Sequence, residues 1–309
     1  MYSLVILAIF CATINNLLLH ILSKKEKDCD PYLFNAMLVS VWVVGLVALN
    51  LGIRAWSNWT IIYGCIYGIA LAGFIFFKTQ AMASGPLALT AVIGCSSFIA
   101  TTIFNAIYWK EKVGFFEIAG IVLMIVAVIM VNYTPQSDTE EKEKKKTSLL
   151  WKIYSGLFFF FSALTGIIFR MHQNCDSKNT NEMMILASIV TIIILAVLFL
   201  FNRIIKKRKL EQGLIKPEEY KIPINKTIIL LALGSGIVSC VYNRLNIYNS
   251  GVLPSTIFFP LFNGGVVISS FLVGRIFFKE KTLWVQIVGI VLGVIAIILV
   301  SKCFGLIQI

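Results

Sequence analysis

Apolar runs of about 20 residues recur ten times along this chain of 309 residues, and they constrain its fold more than any other feature. Such a run is as long as a helix must be to cross the roughly 30 Å hydrocarbon layer of a membrane. The runs are apolar on nearly every face and lack the alternation of barrel strands. We therefore predict an all-α membrane protein with ten transmembrane helices: Tyr2–Leu22, Tyr32–Leu51, Trp59–Phe77, Leu87–Ile107, Phe115–Asn132, Leu149–Phe169, Asn181–Phe201, Lys226–Ile247, Val252–Arg275 and Leu283–Ser301.

One sequence unit occurs twice in the chain. A Lys-Glu-Lys motif at residues 110–112 is followed by Gly120 and an apolar run, and the same order occurs at residues 279–281 and Gly289. Both the motifs and the glycines are 169 residues apart. A period this long indicates two halves of one body rather than a solenoid array.

Each half contains five predicted spans. We expect a first half at residues 1–133, a charged and solvated linker at 134–148, and a second half at 149–309. Because five is an odd number, the second half enters the membrane upside down relative to the first. Two inverted five-helix repeats, related by an axis in the membrane plane, are typical of secondary transporters with a substrate site at the repeat interface.

Upstream of these motifs the halves also match, at an offset of 166 residues. Lys78 and Gln80 in span three then correspond to Arg244 and Asn246 in span eight. This offset would place two cations at equivalent points of the repeat, one towards each side of the membrane. A substrate-binding or gating role for these cations competes with snorkelling, in which a long stem carries the charge to the interface.

The formal net charge of +12 is concentrated in loops, which argues against nucleic-acid binding. The loops after spans one, three, five, seven and nine, together with the span ends that border them, hold 20 of the 27 lysines and arginines. In loops, these charges orient the chain and meet anionic lipid. The positive-inside rule then places these loops in the cytoplasm and both termini outside.

Ten spans in two inverted halves, each closed by a basic-acidic-basic motif and a glycine-containing apolar helix, resemble the drug/metabolite transporter superfamily, specifically its EamA-like members. The resemblance covers nearly the whole chain and includes Pro86 and Pro254 before spans four and nine. It implies a cavity lined by spans one, three, four, six, eight and nine. It also implies that both termini lie in the cytoplasm, opposite to the charge count. In either orientation we expect a multi-pass protein of the cell membrane.

Polar side chains within span one are candidates for a substrate site, because polar groups are costly in lipid unless they face a cavity or find partners. Asn15 and Asn16 either line a substrate path or bond to a neighbouring helix. His20 lies near the end of the span, and histidine is the side chain that ordinarily exchanges a proton near neutral pH. It is therefore a candidate proton carrier, with a position at the membrane interface as the alternative.

The densest polar run lies in span eight. Ser239, Tyr242 and Asn246 recur at helical spacing and form one stripe, with Asn243 and Arg244 beside it. The corresponding end of span three is polar as well. This polarity favours a substrate-binding or gating role for both helices.

Spans four and nine add Ser97, Thr101 and Asn263 to the candidates. Small hydroxyl side chains often serve only to let membrane helices pack closely and bond to one another. Asn263 differs, because a carboxamide beside two glycines and after Pro260 indicates an interrupted helix at mid-membrane depth.

All 15 acidic residues lie in loops or at the edges of spans. A proton-coupled exporter of cations usually needs a buried acid, whereas arginine and lysine suit a neutral, zwitterionic or anionic solute. We therefore expect a secondary transporter that moves a small, polar, amino acid-like metabolite by alternating access. An exporter of amphiphilic cations and a non-transporting membrane scaffold are the alternatives.

No enzymatic motif is present: the chain has no phosphate-binding glycine loop, no nucleophile elbow and only two histidines. Its seven cysteines show no metal-binding spacing. We expect no cofactor. The expected partners are a small-molecule substrate, the lipid bilayer and a coupling ion, either a proton or sodium, but not nucleic acid.

Overall fold

The computed structural model describes residues 2–25, 29–49, 56–84, 87–111, 113–133, 149–176, 179–214, 220, 222, 224–278 and 283–302. Within these residues every regular element is helical, which confirms the all-α class. The ten described helices are α1 (Tyr2–Lys25), α2 (Pro31–Leu49), α3 (Asn58–Ser84), α4 (Leu87–Tyr108), α5 (Phe115–Val131), α6 (Leu149–Gln173), α7 (Thr180–Glu211), α8 (Lys226–Val252), α9 (Ser255–Phe278) and α10 (Trp284–Lys302).

Seven of the described helices are long and apolar enough to cross a membrane, namely α1, α2, α3, α6, α7, α8 and α9. The apolar stretches Phe115–Val131 of α5 and Trp284–Leu299 of α10 are shorter. The described part of the chain is therefore a helical bundle of transmembrane type, as expected for a multi-pass membrane protein.

Side-chain caps mark where several helices begin. The Asp30 carboxylate accepts hydrogen bonds from the backbone N–H groups of Tyr32 (3.0 Å) and Leu33 (3.2 Å) at the start of α2. Asn179 and Asn225 accept the first N–H groups of α7 and α8 in the same way. Each such cap stabilises a helix start by about 1 kcal/mol.

Helices α3 and α7 extend furthest beyond the predicted spans. α3 continues past Phe77 to Ser84, so Lys78 and Gln80 are helical. α7 continues past Phe201 to Glu211 and includes the basic run at residues 206–209, which the sequence placed in a loop. Hydropathy marks only the part of a helix that lies in lipid, because a helix can continue into water with charged side chains.

Helix α9 corrects a third expectation. It runs unbroken from Ser255 to Phe278 through Pro260, so the predicted interruption near Asn263 was wrong. A proline removes one backbone hydrogen bond from a helix. Here the Asn263 side chain lies along the helix and donates to the Phe259 carbonyl (2.9 Å). The predicted linker at 134–148 and the second Lys-Glu-Lys motif lie outside the described residues.

The bundle has two ends, which we call side A and side B. Side A holds the start of α2 and the end of α7, where the Asn202 amide donates to the Asp30 carboxylate (3.1 Å). Side B holds the end of α8 and the start of α9, between Val252 and Ser255. The described ends of the odd-numbered helices that precede the lysine- and arginine-rich loops lie at side A.

The helix contacts occur in matched pairs. α3 packs against α6 and α7, and α8 packs against α1 and α2, while α5 packs along α10. A Cβ atom added to Gly68 would lie 2.7 Å from the carbonyl oxygen of Ala187 on α7. A Cβ atom added to Gly236 would lie 2.7 Å from that of Leu38 on α2. Helix α3 thus approaches α7 as closely as α8 approaches α2.

Two large groups of buried apolar side chains stabilise the bundle. One joins α2, α3, α6, α7 and α8 and includes Trp42, Tyr67 and Phe169. The other joins α1, α4, α5, α9 and α10 and includes Phe98 and Phe258. The space between these two cores holds the candidate site.

Candidate functional site

A cavity of about 320 Å³ lies between α1, α2, α3, α4, α6, α8 and α9. Its volume is at the lower end of the roughly 300–1,000 Å³ range of small-molecule sites. The helices that line it are the six that the family resemblance implied, with α2 in addition. No described residue of α5 or α10 contributes to the lining.

The polar lining of this cavity consists mainly of neutral groups. Six carboxamides contribute, from Asn15, Asn16, Asn35, Asn243, Asn246 and Asn263. Hydroxyl groups come from Tyr67, Ser97, Thr101, Ser162, Thr165, Ser239 and Tyr242. Among the described lining residues Lys78 is the one charged side chain, and none is acidic. Such a wall suits a polar substrate that carries a negative group.

Aromatic rings supply most of the apolar lining. They belong to Trp42, Phe74, Phe98, Phe169, Phe258, Phe259 and Phe262. The Lys78 ammonium lies 5.6 Å from the centre of the Phe74 ring, so the cation and the ring form one surface. A substrate with both an apolar body and a charged end would therefore find both kinds of contact.

Hydrogen bonds between helices hold part of this lining in place. The Trp42 indole N–H donates to the Ser239 hydroxyl (2.9 Å), and the Asn243 amide donates to the Ser239 carbonyl (2.9 Å). The Tyr67 hydroxyl donates to the Asn243 carboxamide oxygen over 3.5 Å. These bonds connect α2, α3 and α8 around one end of the cavity.

Two lining carboxamides have an oxygen atom that makes no hydrogen bond within the described part of the chain. They are Asn15 and Asn246, which are 7% and 5% exposed. A buried polar atom without a partner costs about 1–3 kcal/mol. A ligand or water in the cavity would remove this cost, so both side chains are suited to bind whatever occupies the cavity.

The lining of the cavity differs in exposure between the two sides. Asn35 near the start of α2 and Lys78 near the end of α3 line it and are partly exposed. Towards side B the lining residues Phe169, Asn246 and Phe258 are buried. At these positions the lining is therefore more buried towards side B.

Ten of the thirteen residues that we singled out in the sequence line this cavity. They are Asn15, Asn16, Lys78, Ser97, Thr101, Ser239, Tyr242, Asn243, Asn246 and Asn263. The structure thus brings side chains from five helices, distant in sequence, into one place.

The other three singled-out residues lie elsewhere. The Gln80 amide donates to the Tyr32 hydroxyl (2.8 Å) and ties α3 to α2. Arg244 is exposed on α8 and does not contribute to the described lining. His20 lines a second cavity of about 190 Å³ between α1 and α9. Asn16 lines both cavities and donates to the Ser270 hydroxyl (3.0 Å).

The helix bounds explain the position of Arg244. Helices α3 and α8 each contain 27 residues and begin at Asn58 and Lys226, 168 residues apart. At this offset Lys78 corresponds to Asn246, and both line the cavity. The offset of 166 residues differs from this one by two positions, which is about 200° around a helix. The two cations that it paired lie on different faces.

A largely buried ion pair at side B was not predicted from the sequence. Arg170, near the end of α6, donates from Nη2 to the Glu111 carboxylate (2.9 Å), and the side chains are 12% and 9% exposed. Arg170 Nη1 also donates to the Ser250 carbonyl (2.7 Å) and to that of Leu253. Arg170 therefore satisfies carbonyl groups at the C-terminal end of α8.

Glu111 binds the start of the next helix. Its carboxylate accepts the backbone N–H of Ser255 (3.0 Å to each oxygen) and that of Thr256 (3.4 Å). The Glu111–Arg170 pair thus joins the ends of α4, α6 and α8 to the start of α9. We call this group the side-B junction.

Lys110 directs Glu111 towards the junction. It adopts φ 51°, the left-handed conformation, directly after α4. The Lys110 N–H donates to the Ile107 carbonyl and the Glu111 N–H to that of Ala106 (2.9 Å), which closes the helix end. The repeated motif had identified Glu111, but its partner lies on another helix and no local pattern connects the two.

Comparisons with known proteins identify the fold and no more. No protein-family model matches the chain, and no curated protein matches it. A solved structure described only as a crystal structure of a protein shares the fold, with a TM-score of 0.71 at 14% identity over 97% of each chain. Among the described residues, no group of three or more His, Cys, Asp or Glu side chains could hold a metal ion.

Proposed function

We propose that this chain is a secondary transporter of a small polar metabolite, amino acid-like and either zwitterionic or anionic. The observation that supports this proposal best is the central cavity, in which carboxamides, hydroxyls and one lysine line a space of small-molecule size. It lies inside a bundle whose helices suit a membrane. A polar chamber of this kind in lipid is costly unless it serves a solute.

The proposed mechanism is alternating access by two inverted five-helix repeats, as in EamA-like members of the drug/metabolite transporter superfamily. The matched approaches of Gly68 and Gly236 support it. A second matched contact supports it as well. The Thr101 hydroxyl on α4 donates to the Ala163 carbonyl on α6 (3.0 Å). Ser269 lies 168 residues after Thr101, and Thr13 lies 150 residues before Ala163. The hydroxyl groups of Ser269 on α9 and Thr13 on α1 are also in contact (2.6 Å).

The substrate chemistry follows from the charges in the lining. Lys78 attracts a carboxylate or phosphate, and at 4 Å in partly solvated surroundings such a pair interacts by about 4 kcal/mol. The oxygens of Asn15 and Asn246 can accept N–H groups of an amine or ammonium. A zwitterion would use both kinds of contact.

The alternative function, export of amphiphilic cations, is favoured by the aromatic rings alone, since cations bind aromatic faces. Lys78 opposes it by repulsion. The described lining residues include no acidic side chain that would attract a cation. We therefore place this function second.

Ligand-induced thermal stabilisation tests the proposal. The purified full-length chain is heated with amino acids, nucleobases, amines and sugar phosphates in turn. A true ligand at 100 times its Kd stabilises the folded state by about 2.7 kcal/mol. Stabilisation by zwitterions or anions is expected, and it should be lost in Lys78→Gln. Stabilisation by quaternary amines alone would favour the cation exporter, and no stabilisation or transport by any compound would favour a scaffold.

A further inference from the structure

The Glu111 carboxylate occupies a site at side B that would suit any carboxylate. One guanidinium nitrogen of Arg170 lies 2.9 Å from it. Two backbone N–H groups at the start of α9, from Ser255 and Thr256, point at the same carboxylate. A guanidinium together with a helix N-terminus is a strong anion-binding arrangement, because both supply charge-assisted hydrogen bonds.

This site lies directly beyond the central cavity. Phe169, the neighbour of Arg170 on α6, lines the cavity. Phe258 lines it one turn after Ser255 on α9, and Asn246 lines it one turn before Ser250 on α8. Three helices therefore lead from the cavity to the side-B junction.

The site also has unused hydrogen-bonding atoms. Arg170 Nε, the indole nitrogen of Trp109 and the hydroxyl oxygens of Ser255 and Thr256 are buried and make no hydrogen bond within the described part of the chain. Ser255 and Thr256 are 0% and 1% exposed. The Trp109 ring lies 5.9 Å from the guanidinium carbon of Arg170. Glu111 thus occupies the site but leaves these buried donor and acceptor atoms without a hydrogen bond.

We propose that Arg170 and the first N–H groups of α9 form a second anion-binding site on the transport path. In this conformation the chain's own Glu111 fills it, and the carboxylate or phosphate of a substrate replaces Glu111 when side B opens. The proposal rests on the proposed transport of a zwitterion or anion. The two cations on the transport path are then Lys78 near side A and Arg170 at side B, whereas the sequence had suggested Lys78 and Arg244.

The exchange has a physical reason. Opening side B must separate α4 and α6 from α8 and α9, which the Glu111–Arg170 pair joins. Breaking a buried ion pair without replacement leaves an uncompensated charge, which is strongly unfavourable. Exchange of one carboxylate for another keeps Arg170 paired throughout.

Chemical rescue of Glu111→Ala tests the site. The full-length variant is purified in detergent and its Tm is measured with sodium acetate, which resembles the missing side chain, or with sodium chloride at the same ionic strength. Acetate is expected to raise the Tm of Glu111→Ala by several degrees in a saturable way, and chloride is not. Acetate should inhibit uptake by this variant over the same concentrations, and should leave wild-type uptake unchanged.

Three controls make the result specific. Arg170→Gln in the Glu111→Ala background should abolish the acetate response, and Glu211→Ala, at an exposed pair with Lys207, should show none. Lys78→Gln in the Glu111→Ala background should keep the rise in Tm with acetate. This control separates the anion site from the proposed substrate chemistry, which depends on Lys78. If Glu111→Ala does not fold, Glu111→Gln replaces it with a smaller expected shift. An acetate response that survives Arg170→Gln, or none in either Glu111 variant, would overturn the proposal.

Discussion

Replacement of Gly68 or Gly236 by alanine would test the matched helix contacts directly. In each case the new Cβ atom would lie 2.7 Å from a backbone carbonyl oxygen of the facing helix, whereas ordinary contact begins at 3.4 Å. The helices would have to separate by about 0.7 Å, because a backbone oxygen cannot rotate away. Such overpacking costs about 1–3 kcal/mol.

Helix propensity acts in the opposite direction, since alanine is more favourable than glycine inside a helix by about 0.5–1 kcal/mol. Gly45→Ala and Gly156→Ala isolate this contribution, because a Cβ atom at either position meets nothing within 4 Å. We expect both controls to match or exceed the wild-type stability. The two test variants should lie about 1–3 kcal/mol below the controls, and by similar amounts.

The assay is thermal unfolding of the four purified variants in one detergent, followed by tryptophan fluorescence or circular dichroism. Gly68→Ala or Gly236→Ala unfolding at the temperature of the controls would refute the close approach. A large loss in only one of the two would refute the equivalence of the contacts. That equivalence supports the proposed repeat.

Further predictions concern the side-B junction and the topology. Lys110→Gly should raise the stability by about 1 kcal/mol, because φ 51° is unfavourable for a side chain; a lower Tm would contradict this. Arg170→Gln should lower the free energy of unfolding by about 3–5 kcal/mol, because the Glu111 carboxylate is left without its cationic partner. Lys207→Ala, at an exposed pair, should change the free energy of unfolding by less than about 0.5 kcal/mol. Equal effects of the two substitutions would contradict the buried pair. Cys29 follows α1 at side A and Cys175 follows α6 at side B, and neither forms a disulfide within the described part of the chain, so an impermeant thiol reagent should label only one of them in intact cells. Equal labelling would contradict the topology.

Hydropathy alone predicted the helices well, because a segment in lipid must satisfy its backbone internally and present apolar side chains over about 20 residues. It failed where a helix leaves the lipid. Nothing apolar marks the continuation of α7 to Glu211 or of α3 to Ser84. These ends depend on capping, water and contacts with neighbouring helices.

The polar residues inside apolar spans identified most of the cavity for the same reason. Asn243 and Asn246 are costly in lipid, so their presence predicted a polar space. Arg244 is not among the described lining residues. The offset of 168 residues between the helix starts pairs Lys78 with Asn246 instead, because two positions move a side chain to the other face of its helix. The Glu111–Arg170 pair could not be predicted, because its members are 59 residues apart on different helices.

Uptake into proteoliposomes by wild type, Lys78→Gln and Arg244→Gln tests the central claim most directly. The substrate is a radiolabelled zwitterion or anion that stabilises the purified chain. Loss of an interaction of about 4 kcal/mol should lower uptake by Lys78→Gln at least tenfold. Arg244→Gln should retain uptake, because Arg244 is exposed and the described lining of the cavity does not include it. Near-normal uptake by Lys78→Gln, or a loss confined to Arg244→Gln, would contradict the account.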